Sequence, residues 1–178
     1  MGIFIVDNIP NNIYFIGLMG AGKTTVGKIL AKNLGKTFYD TDQVIEQRTG
    51  VKVSTIFELE GEVGFRKREL AMIEELTQLD NVVMATGGGA VIAPENRALL
   101  KQHGFVIYLR ANVKDLWQRM RHDRHRPLLQ NVDVHAKLEQ LYHERNPLYT
   151  ETASLIIDTG SQPVANILNQ IEQTFNSI

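Results

Sequence analysis

The stretch Gly17-Leu-Met-Gly-Ala-Gly-Lys23-Thr24 matches the pattern G-x-x-x-x-G-K-[ST] and decides how the rest of the sequence is interpreted. The apolar run Ile13-Tyr-Phe-Ile16 stands directly before it and predicts a buried strand, and residues 23–34 have the spacing of an amphipathic helix. Glycines at such a strand-to-helix turn let backbone N–H groups surround phosphates at the N-terminus of the helix. A glycine-rich turn that arises by chance would not need a strand directly before it and a helix directly after it. The stretch therefore predicts a nucleoside triphosphate site.

Four further apolar runs, rich in β-branched and aromatic residues, predict strands at Thr37-Phe-Tyr39, Val82-Val-Met-Ala85, Phe105-Val-Ile-Tyr-Leu109 and Leu155-Ile-Ile157. Helices are predicted over residues 23–34, 111–120, 136–142 and 164–175, and from Thr55-Ile-Phe-Glu58, which has the form of a capping box, to Leu79. The buried face of the first helix should contain Val26, Ile29, Leu30 and Leu34. This alternation predicts an α/β protein with a parallel sheet covered on both faces, because each parallel crossover needs a connection of helix length.

The composition limits the classes of function that the chain can have. With 178 residues, 43% of them hydrophobic and 22% charged, residues 1–178 are expected to form one domain. A formal charge of -1 gives no overall attraction for nucleic acid, and the absence of cysteine excludes a disulfide framework and a thiolate zinc cluster. No run of about 18 apolar residues occurs and no basic residue precedes Lys23, so we expect no membrane span, no signal peptide and a cytoplasmic location.

Two classes of protein use such a phosphate loop: regulatory GTPases or ATP-driven machines, and small-molecule kinases. A GTPase should contain N-K-x-D and D-x-x-G, and neither string occurs. A motor ATPase normally places an acid after the strand beside the phosphate loop, but here one apolar run leads into Thr86-Gly-Gly-Gly89 and another ends in Arg110. The length leaves no room for a second effector domain. The sequence therefore favours a kinase with a small acceptor.

Polar residues follow the predicted strands, where ligands of an open α/β sheet bind. Asp40-Thr-Asp42 follows the second strand, and its spacing would direct both carboxylates to one face if the chain stays extended. One carboxylate could then support Mg²⁺ through water and the other could bind substrate hydroxyls. The alternative is an acidic cap on a helix that begins near Gln43. After the third strand, Gly87-Gly-Gly89 offers backbone that a ligand can approach closely, or a flexible turn.

Arginines are the other candidate ligand-binding residues. Arg66 and Arg145 could hold a carboxylate between guanidinium forks, although each could equally be a solvated surface charge. The segment Arg119 to Arg126 contains four arginines and one aspartate, and it overlaps the irregular stretch from His122 to Val134. This concentration of charge is suited to a lid that closes over phosphates, and the alternative is a solvated basic loop.

From about Ile13 to Ile171 the sequence resembles the shikimate kinase family. The family's signatures occur in order: the phosphate loop, Phe38-Tyr-Asp-Thr-Asp42, Ile56-Phe57, Gly61-Glu-Val-Gly-Phe-Arg66, Gly87-Gly-Gly89, Arg126-Pro-Leu-Leu129 and Arg145-Asn-Pro-Leu-Tyr149. A phosphate loop alone would be generic, whereas the ordered set is specific. The alternatives are another P-loop small-molecule kinase of the gluconate type and a regulatory nucleotide-binding module.

The resemblance implies a three-layer P-loop kinase fold with a five-stranded parallel sheet in the order 2-3-1-4-5. It implies a mobile lid at about 121–134 and an acceptor-binding region at about 40–80. The implied reaction transfers the ATP γ-phosphoryl group to the 3-hydroxyl of shikimate, a step of chorismate and aromatic amino-acid synthesis. ATP is then the co-substrate and Mg²⁺ the cofactor, and the expected partners are these small molecules, with no nucleic acid or membrane. The expected state is a monomer.

The resemblance also assigns residues to roles. Lys23, Asp42 and Arg126 would be catalytic, and ATP would be bound by Gly20, Ala21, Gly22, Lys23, Thr24, Thr25, Arg119, Arg126 and Gln162. Shikimate would be bound by Asp42, Arg66, Gly87, Gly88, Gly89 and Arg145, with Glu62 and Phe65 supporting the pocket. Thr24 would ligate Mg²⁺ directly, and Asp40 would lie in the metal's outer shell.

Overall fold

The structure, a computed structural model, describes residues 8–178. Within that range the strands are β1 (Ile13–Ile16), β2 (Thr37–Asp40), β3 (Val82–Ala85), β4 (Phe105–Arg110) and β5 (Leu155–Asp158). The α-helices are α1 (Lys23–Leu34), α2 (Thr41–Thr49), α3 (Val53–Leu76), α4 (Pro94–His103), α5 (Val113–Met120), α6 (Val134–Thr152) and α7 (Val164–Phe175). None of the helices in residues 8–178 is long and apolar enough to cross a membrane. Residues 1–7, which contribute to the targeting expectation, lie outside the described residues.

The five strands form one parallel sheet in the order β2-β3-β1-β4-β5, which confirms the predicted fold class and strand order. At the centre of the sheet, Ile13 of β1 is in register with Val83 of β3 and with Phe105 of β4. Every residue of β1 and β3 is buried, as expected for central strands with helices on both faces. Because the strands are parallel, their carboxyl ends share one edge, and the phosphate loop leaves β1 at that edge.

Two glycines let the phosphate loop turn between β1 and α1. Gly17 has φ 144°, and a Cβ atom added there would lie 2.6 Å from the carbonyl oxygen of Leu109. Gly22 is the residue before α1 and has left-handed backbone, with φ 97° and ψ 14°. A larger residue at either position would strain the turn, because L side chains rarely adopt these conformations.

The buried face of α1 differs from the prediction at one position. Ile29 is 38% exposed, while Val26, Gly27, Leu30 and Ala31 are buried. A Cβ atom at Gly27 would lie 2.7 Å from the Phe38 ring, so the helix packs closely on β2 along its glycine side. Ile29 lies about 200° around the helix axis from Gly27, on the face away from this contact.

Several predicted helix limits were wrong. Thr55 is not a capping residue: α3 begins at Val53, whose N–H donates to Glu46 Oε1 on α2 at 3.0 Å. The same helix ends at Leu76 and not at Leu79, and it is interrupted at Gly61, which has φ 70° and ψ -179°. For α2 only a start near Gln43 was considered, as the alternative for the aspartates, and the helix begins at Thr41; the limits of α4 were not predicted.

The predicted and observed limits differ most for α6. It was predicted over 136–142, but it begins at Val134, where the Asp133 carboxylate accepts a hydrogen bond from the Ala136 N–H, and continues to Thr152. Pro147 lies inside it, although proline lacks a donor N–H. The stretch between α5 and α6 is irregular, as predicted, apart from one turn of 3₁₀ helix at Pro127–Leu129.

Candidate active site

One cleft of about 760 Å³ opens at the carboxyl ends of the strands, within the usual size range of small-ligand sites. The structure brings every predicted site residue to its walls. They are Gly20, Ala21, Gly22, Lys23, Thr24, Thr25, Asp40, Asp42, Arg66, Gly87, Gly88, Gly89, Arg119, Arg126, Arg145 and Gln162. The residues come from seven separate regions of the chain, which the parallel sheet and its helices bring together.

Lys23 lies at the floor of the cleft and is 8% exposed. Its ammonium group donates to the carbonyl oxygens of Gly17 and Leu18, at 2.6 and 2.9 Å, across the phosphate loop. Burial lowers the Lys23 pKa to about 8, and the positive charge of Arg126 acts in the same direction. An anion placed in the loop would relieve both effects, so the site is suited to phosphate.

Thr24 and Asp40 form a polar pair beside the phosphate loop. The Thr24 hydroxyl donates to Asp40 Oδ2 at 2.7 Å, which leaves its oxygen lone pairs free. No group of three or more His, Asp or Glu side chains within residues 8–178 could hold a metal ion. A Mg²⁺ ion at this pair would therefore take most of its ligands from phosphate and water, which is its usual preference. The residues fit the expected metal site.

The two aspartates reach the cleft by a different route from the predicted one. The chain does not stay extended after β2: Asp40 is the N-cap of α2 and accepts a hydrogen bond from the Gln43 N–H at 3.1 Å. Asp42 lies in the first turn of that helix. The alternative of an acidic helix cap was therefore correct for Asp40. Both carboxylates still line the cleft, because the first turn of α2 begins at the end of β2.

The acceptor end of the cleft contains buried polar atoms without a hydrogen-bond partner. Among the described residues, these include Asp42 Oδ1, Glu69 Oε2 and an Nη atom of Arg145. A Cβ atom added at Gly87 would lie 2.8 Å from the free Glu69 oxygen and 2.9 Å from that of Asp42. Buried polar atoms are almost always paired in proteins. Two acceptors and one cationic donor therefore surround a space suited to a polar ligand.

The two carboxylates at this end carry shifted pKa values. Burial raises the pKa of Asp42, and the charge of Asp40 adds to the effect. Burial also raises the pKa of Glu69, to about 7, although the Arg66 guanidinium opposes the shift. Both groups therefore bind a proton more readily than exposed carboxylates do.

Arg66 is held in place by its own helix. Its guanidinium contacts Glu62 at 3.1 Å and Glu69 at 3.0 Å, and it lies 5.4 Å from the Phe65 ring centroid. Gly89 leaves the space that this guanidinium occupies, since an added Cβ atom would overlap it. Arg66 is thus a fixed cation at the wall of the cleft and not a freely solvated charge.

Arg145 is also not a surface charge, because it is only 4% exposed. It lies on α6, one turn before Tyr149, and its guanidinium is close to the Tyr149 hydroxyl. Its Nη1 atom would be 3.6 Å from a Cβ atom added at Gly88. Arg66 and Arg145 therefore approach the glycine turn 87–89 from two helices.

At the opposite end of the cleft, Arg119 connects two loops. It donates to the carbonyl oxygen of Gly20 at 2.7 Å and to that of Gly160 at 3.5 Å. The Gln162 side chain donates to the Asp158 carbonyl at 2.6 Å and accepts from Gln170 at 2.9 Å. The Gln162 amide already uses its nitrogen and its oxygen in these two hydrogen bonds. The groups at this end that remain available to a ligand are mainly the flat face of the Arg119 guanidinium and the loop backbone.

The irregular segment between α5 and α6 covers the cleft from one side. Arg126 contacts Asp123 at 3.6 Å, and its side chain remains 42% exposed. It nevertheless lines the same cleft as the phosphate loop, where its charge adds to the lowering of the Lys23 pKa and opposes the rise of the Asp42 pKa. Asp123, His125, Pro127 and Leu128 of the same segment also line the cleft.

Sequence reasoning did not find three buried residues at the acceptor end: Thr41, Glu69 and Tyr149. Glu69 lies three residues after Arg66, and this helical spacing was the available signal for an ion pair. Thr41 stands between the two aspartates, and Tyr149 ends the motif that begins at Arg145. Nothing in their residue types alone distinguishes them from ordinary core residues.

Comparison with known proteins gives consistent matches over most of the chain. A family profile described as shikimate kinase matches residues 19–176. A shikimate kinase of Burkholderia pseudomallei (strain 1710b) is 57% identical over 160 residues, which cover 90% of this chain and 87% of that protein. The structure of a shikimate kinase from Acinetobacter baumannii in complex with shikimate has a TM-score of 0.91 at 47% identity, covering 94% and 93% of the two chains. A gluconokinase from Sinorhizobium meliloti, at TM-score 0.57 and 18% identity over 94% and 93% of the chains, shares the fold alone.

Proposed function

The chain belongs to the shikimate kinase family and is an ATP-dependent kinase with an alcohol acceptor, and from this premise we propose how its cleft transfers the γ-phosphoryl group to the 3-hydroxyl of shikimate. The observation that carries the proposal is the set of unpaired atoms on Asp42, Glu69 and Arg145 around the glycine turn. Shikimate offers hydroxyl donors and one carboxylate, which complement these acceptors and this cation. The likeness to gluconokinase extends to the fold alone and gives no support to a gluconate kinase.

In this proposal the acceptor carboxylate lies between Arg66 and Arg145. Both guanidiniums line the cleft beside the glycine turn, and both are held by packing or by ion pairs before any ligand arrives. Fixed guanidinium forks orient a carboxylate more strictly than mobile ones do. Asp42 then accepts a hydrogen bond from an acceptor hydroxyl and aims it at the phosphate loop.

Lys23 and Arg126 supply the positive charge for the transfer. The phosphoryl transition state is loose and spreads negative charge over its oxygens, so catalysis depends on positioning and on fixed cations. Lys23 is buried at the floor of the phosphate loop and Arg126 faces it from the lid. Both cations line the part of the cleft where the phosphoryl group would be transferred.

We assign the remaining ligand contacts as follows. Gly20, Ala21, Gly22, Thr24 and Thr25 surround the ATP phosphates with backbone and hydroxyl groups, and Thr24 with Asp40 holds Mg²⁺, which would neutralise phosphate charge when bound. Adenine lies between Arg119 and the loop around Gln162. The chain is proposed to act as one domain, with the lid at 121–134 and the acceptor region at 40–80. It is also proposed to work as a monomer in the cytoplasm.

An ATP-consumption assay with Mg²⁺ tests the acceptor directly. Shikimate, quinate, gluconate and nucleoside monophosphates are supplied in turn at equal concentrations. We expect the highest kcat/KM for shikimate, since it matches both the hydroxyl-binding and the carboxylate-binding groups. Faster turnover of gluconate or of a nucleoside monophosphate would overturn the proposed acceptor.

The placement of the acceptor is tested separately by Arg66→Ala and Arg145→Ala. Each variant should lose charge-assisted hydrogen bonds, at roughly 1.5–3 kcal/mol per bond, and so weaken shikimate binding far more than ATP binding. Arg48→Ala is the matched control, because Arg48 pairs with Glu75 outside the cleft. Equal losses of affinity for both ligands would place the two arginines elsewhere in the reaction.

A further inference from the structure

Two buried hydroxyl groups on different helices form hydrogen bonds with the backbone of the glycine turn 87–89. The Thr41 side chain is fully buried, and its Oγ1 accepts a hydrogen bond from the Gly87 N–H at 3.0 Å. Tyr149 is equally buried, and its hydroxyl donates to the carbonyl oxygen of Gly88. Thr41 lies at the start of α2 and Tyr149 on α6, so the turn is tied to two separate helices.

Glycine residues have many accessible backbone conformations, so a run of three needs external contacts to adopt one of them. Hydrogen bonds from Ala90 N–H to the Gly87 carbonyl and from Ile92 N–H to the Gly89 carbonyl, each 3.1 Å long, shape the end of the turn. They join the turn to the residues that follow it. The contacts from Thr41 and Tyr149 are the ones that set its position relative to the acceptor-binding helices.

On the Thr41 side, the hydrogen bond is made next to the proposed hydroxyl-binding group. Thr41 is the residue before Asp42, and the free Asp42 Oδ1 would be 2.9 Å from a Cβ atom at Gly87. Moving the Gly87 backbone by one ångström would change the space between Asp42 and the turn. Thr41 therefore fixes how far the glycine turn lies from this carboxylate.

On the Tyr149 side, the hydrogen bond is made to the same glycine that the proposed carboxylate-binding group approaches, since Arg145 Nη1 would be 3.6 Å from a Cβ atom added at Gly88. The Arg145 guanidinium lies beside the Tyr149 hydroxyl and opposes the rise of the Tyr149 pKa that burial causes. The Tyr149 ring packs on Tyr108, with 4.8 Å between the ring centroids, which holds the hydroxyl in one orientation. The Tyr149 hydroxyl thus positions the Gly88 carbonyl beside the Arg145 guanidinium.

We propose that Thr41 and Tyr149 are positioning residues for the acceptor, which act by holding the glycine turn in the geometry that shikimate binds, next to Asp42 and Arg145. Neither hydroxyl is assigned to the reacting atoms. The inference rests on the proposed placement of shikimate between Arg145, Asp42 and the glycine turn. Its prediction is selective: loss of either hydroxyl should impair acceptor binding while the nucleotide end of the cleft is unchanged.

The test uses steady-state kinetics of Thr41→Val and Tyr149→Phe, which remove each hydroxyl at nearly constant volume. A buried N–H or C=O left without a partner is costly, so we expect the KM for shikimate to rise roughly five- to thirtyfold. The KM for ATP should stay within about twofold of the parent. Thr41→Ser restores the hydroxyl and should restore the parental KM, which a role limited to packing of the Thr41 methyl group would not do.

Tyr108→Phe is the matched control for Tyr149→Phe. Tyr108 is also fully buried, but its hydroxyl donates to Asn146 at 2.9 Å and not to the glycine turn. If Tyr108→Phe and Tyr149→Phe raise the KM for shikimate equally, or if Thr41→Val leaves it unchanged, the proposal is wrong. If a tyrosine variant does not fold, the Thr41→Val and Thr41→Ser pair decides alone. A different result would show that shikimate does not lie between Arg145, Asp42 and the glycine turn. In that case Arg145→Ala would also leave the KM for shikimate unchanged.

Discussion

Lys23 carries its charge at a buried position, and this gives the enzyme a pH dependence at the residue scale. Its pKa is lowered to about 8, so the empty enzyme loses the ammonium charge as the pH rises through about 8. Bound phosphate favours the charged form, so the complex should keep the proton to higher pH. We therefore expect kcat/KM for Mg²⁺-ATP to fall above pH 8 while kcat holds further into the alkaline range.

Rate profiles between pH 6.5 and 10 measure this difference. Lys23→Ala is the companion variant: it should fold, lose most of its turnover and show no inflection near pH 8. A kcat/KM profile of the parent that stays flat up to pH 9.5 would contradict the assigned pKa.

Glu69 gives a second prediction, on stability. Its pKa of about 7 in the folded protein exceeds the ordinary value of 4.5, so the folded state binds more protons between these two pH values. Stability contributed by this group is complete below pH 4.5 and is lost as the pH rises through 7. Relative to Glu69→Gln, the parent should lose about 1–3 kcal/mol of unfolding free energy between pH 5 and 8.

Urea unfolding at several pH values tests the Glu69 prediction. Glu62→Gln removes the other carboxylate partner of Arg66 but retains the buried acid, so its stability curve should keep the parental slope. Parallel curves for the parent and Glu69→Gln would show that Glu69 does not titrate in this range.

Sequence reasoning identified residues with a distinctive local pattern and missed those whose role depends on burial. Lys23 and Thr24 follow from the motif itself, and Arg66 and Arg145 were candidates from their charge. Burial then decided between the open alternatives, since Arg145 is 4% exposed and Arg66 is enclosed by Glu62 and Glu69. Sequence alone could not show this, because both helices become buried only when packed on the rest of the fold.

At the scale of elements, the strands were predicted most accurately, because a short apolar run must be buried wherever it lies. The helix ends depend on contacts between elements and were harder to predict. Glu46 on α2 satisfies the first N–H group of α3, and the close contact of Gly27 with Phe38 sets the rotation of α1. Helix periodicity does not indicate either contact, although Glu46 is only seven residues from Val53. The start of α6 was missed although its signal is local, because Asp133 is the N-cap directly before the helix.

The lid, residues 121–134, is the element for which we predict a catalytic effect without an effect on acceptor binding. Arg126 faces the phosphate loop, while the acceptor contacts lie at the strand ends. Arg126→Ala should reduce kcat roughly a hundredfold, in line with the loss of one preorganised charge, and leave the shikimate Kd within about twofold. Arg124→Ala is the control, because it removes the same charge from an exposed position in the same segment.

Hydrogen exchange tests the lid itself. Amides in residues 121–134 should be better protected with both ligands than without them, because closure would exclude water from the γ-phosphoryl group. Equal protection in both states, or full turnover by Arg126→Ala, would show that the segment does not act as a lid.

At the scale of the whole molecule, the cleft has two ends that belong to different parts of one core. The phosphate loop extends from β1 at the centre of the sheet, and the acceptor end is built from α2, α3, α6 and the turn after β3. One hydrophobic core contains residues of both ends, among them Leu18, Ile45, Phe65 and Tyr149. Either ligand should therefore stabilise the whole fold, and not only the end to which it binds.

Ligand-linked thermal unfolding should show this coupling. A ligand present at about 100 times its Kd adds about 2.7 kcal/mol to the free energy of unfolding, which is roughly 5–10 °C in Tm for a chain of this size. Arg145→Ala should lose the shift caused by shikimate and keep that caused by Mg²⁺-ATP, whereas Lys23→Ala should show the reverse, because each variant damages one end. If either variant lost both shifts while remaining folded, the two ends would not be separate sites. Two separate transitions in the parent, with only one moved by shikimate, would instead mean that the two ends unfold independently.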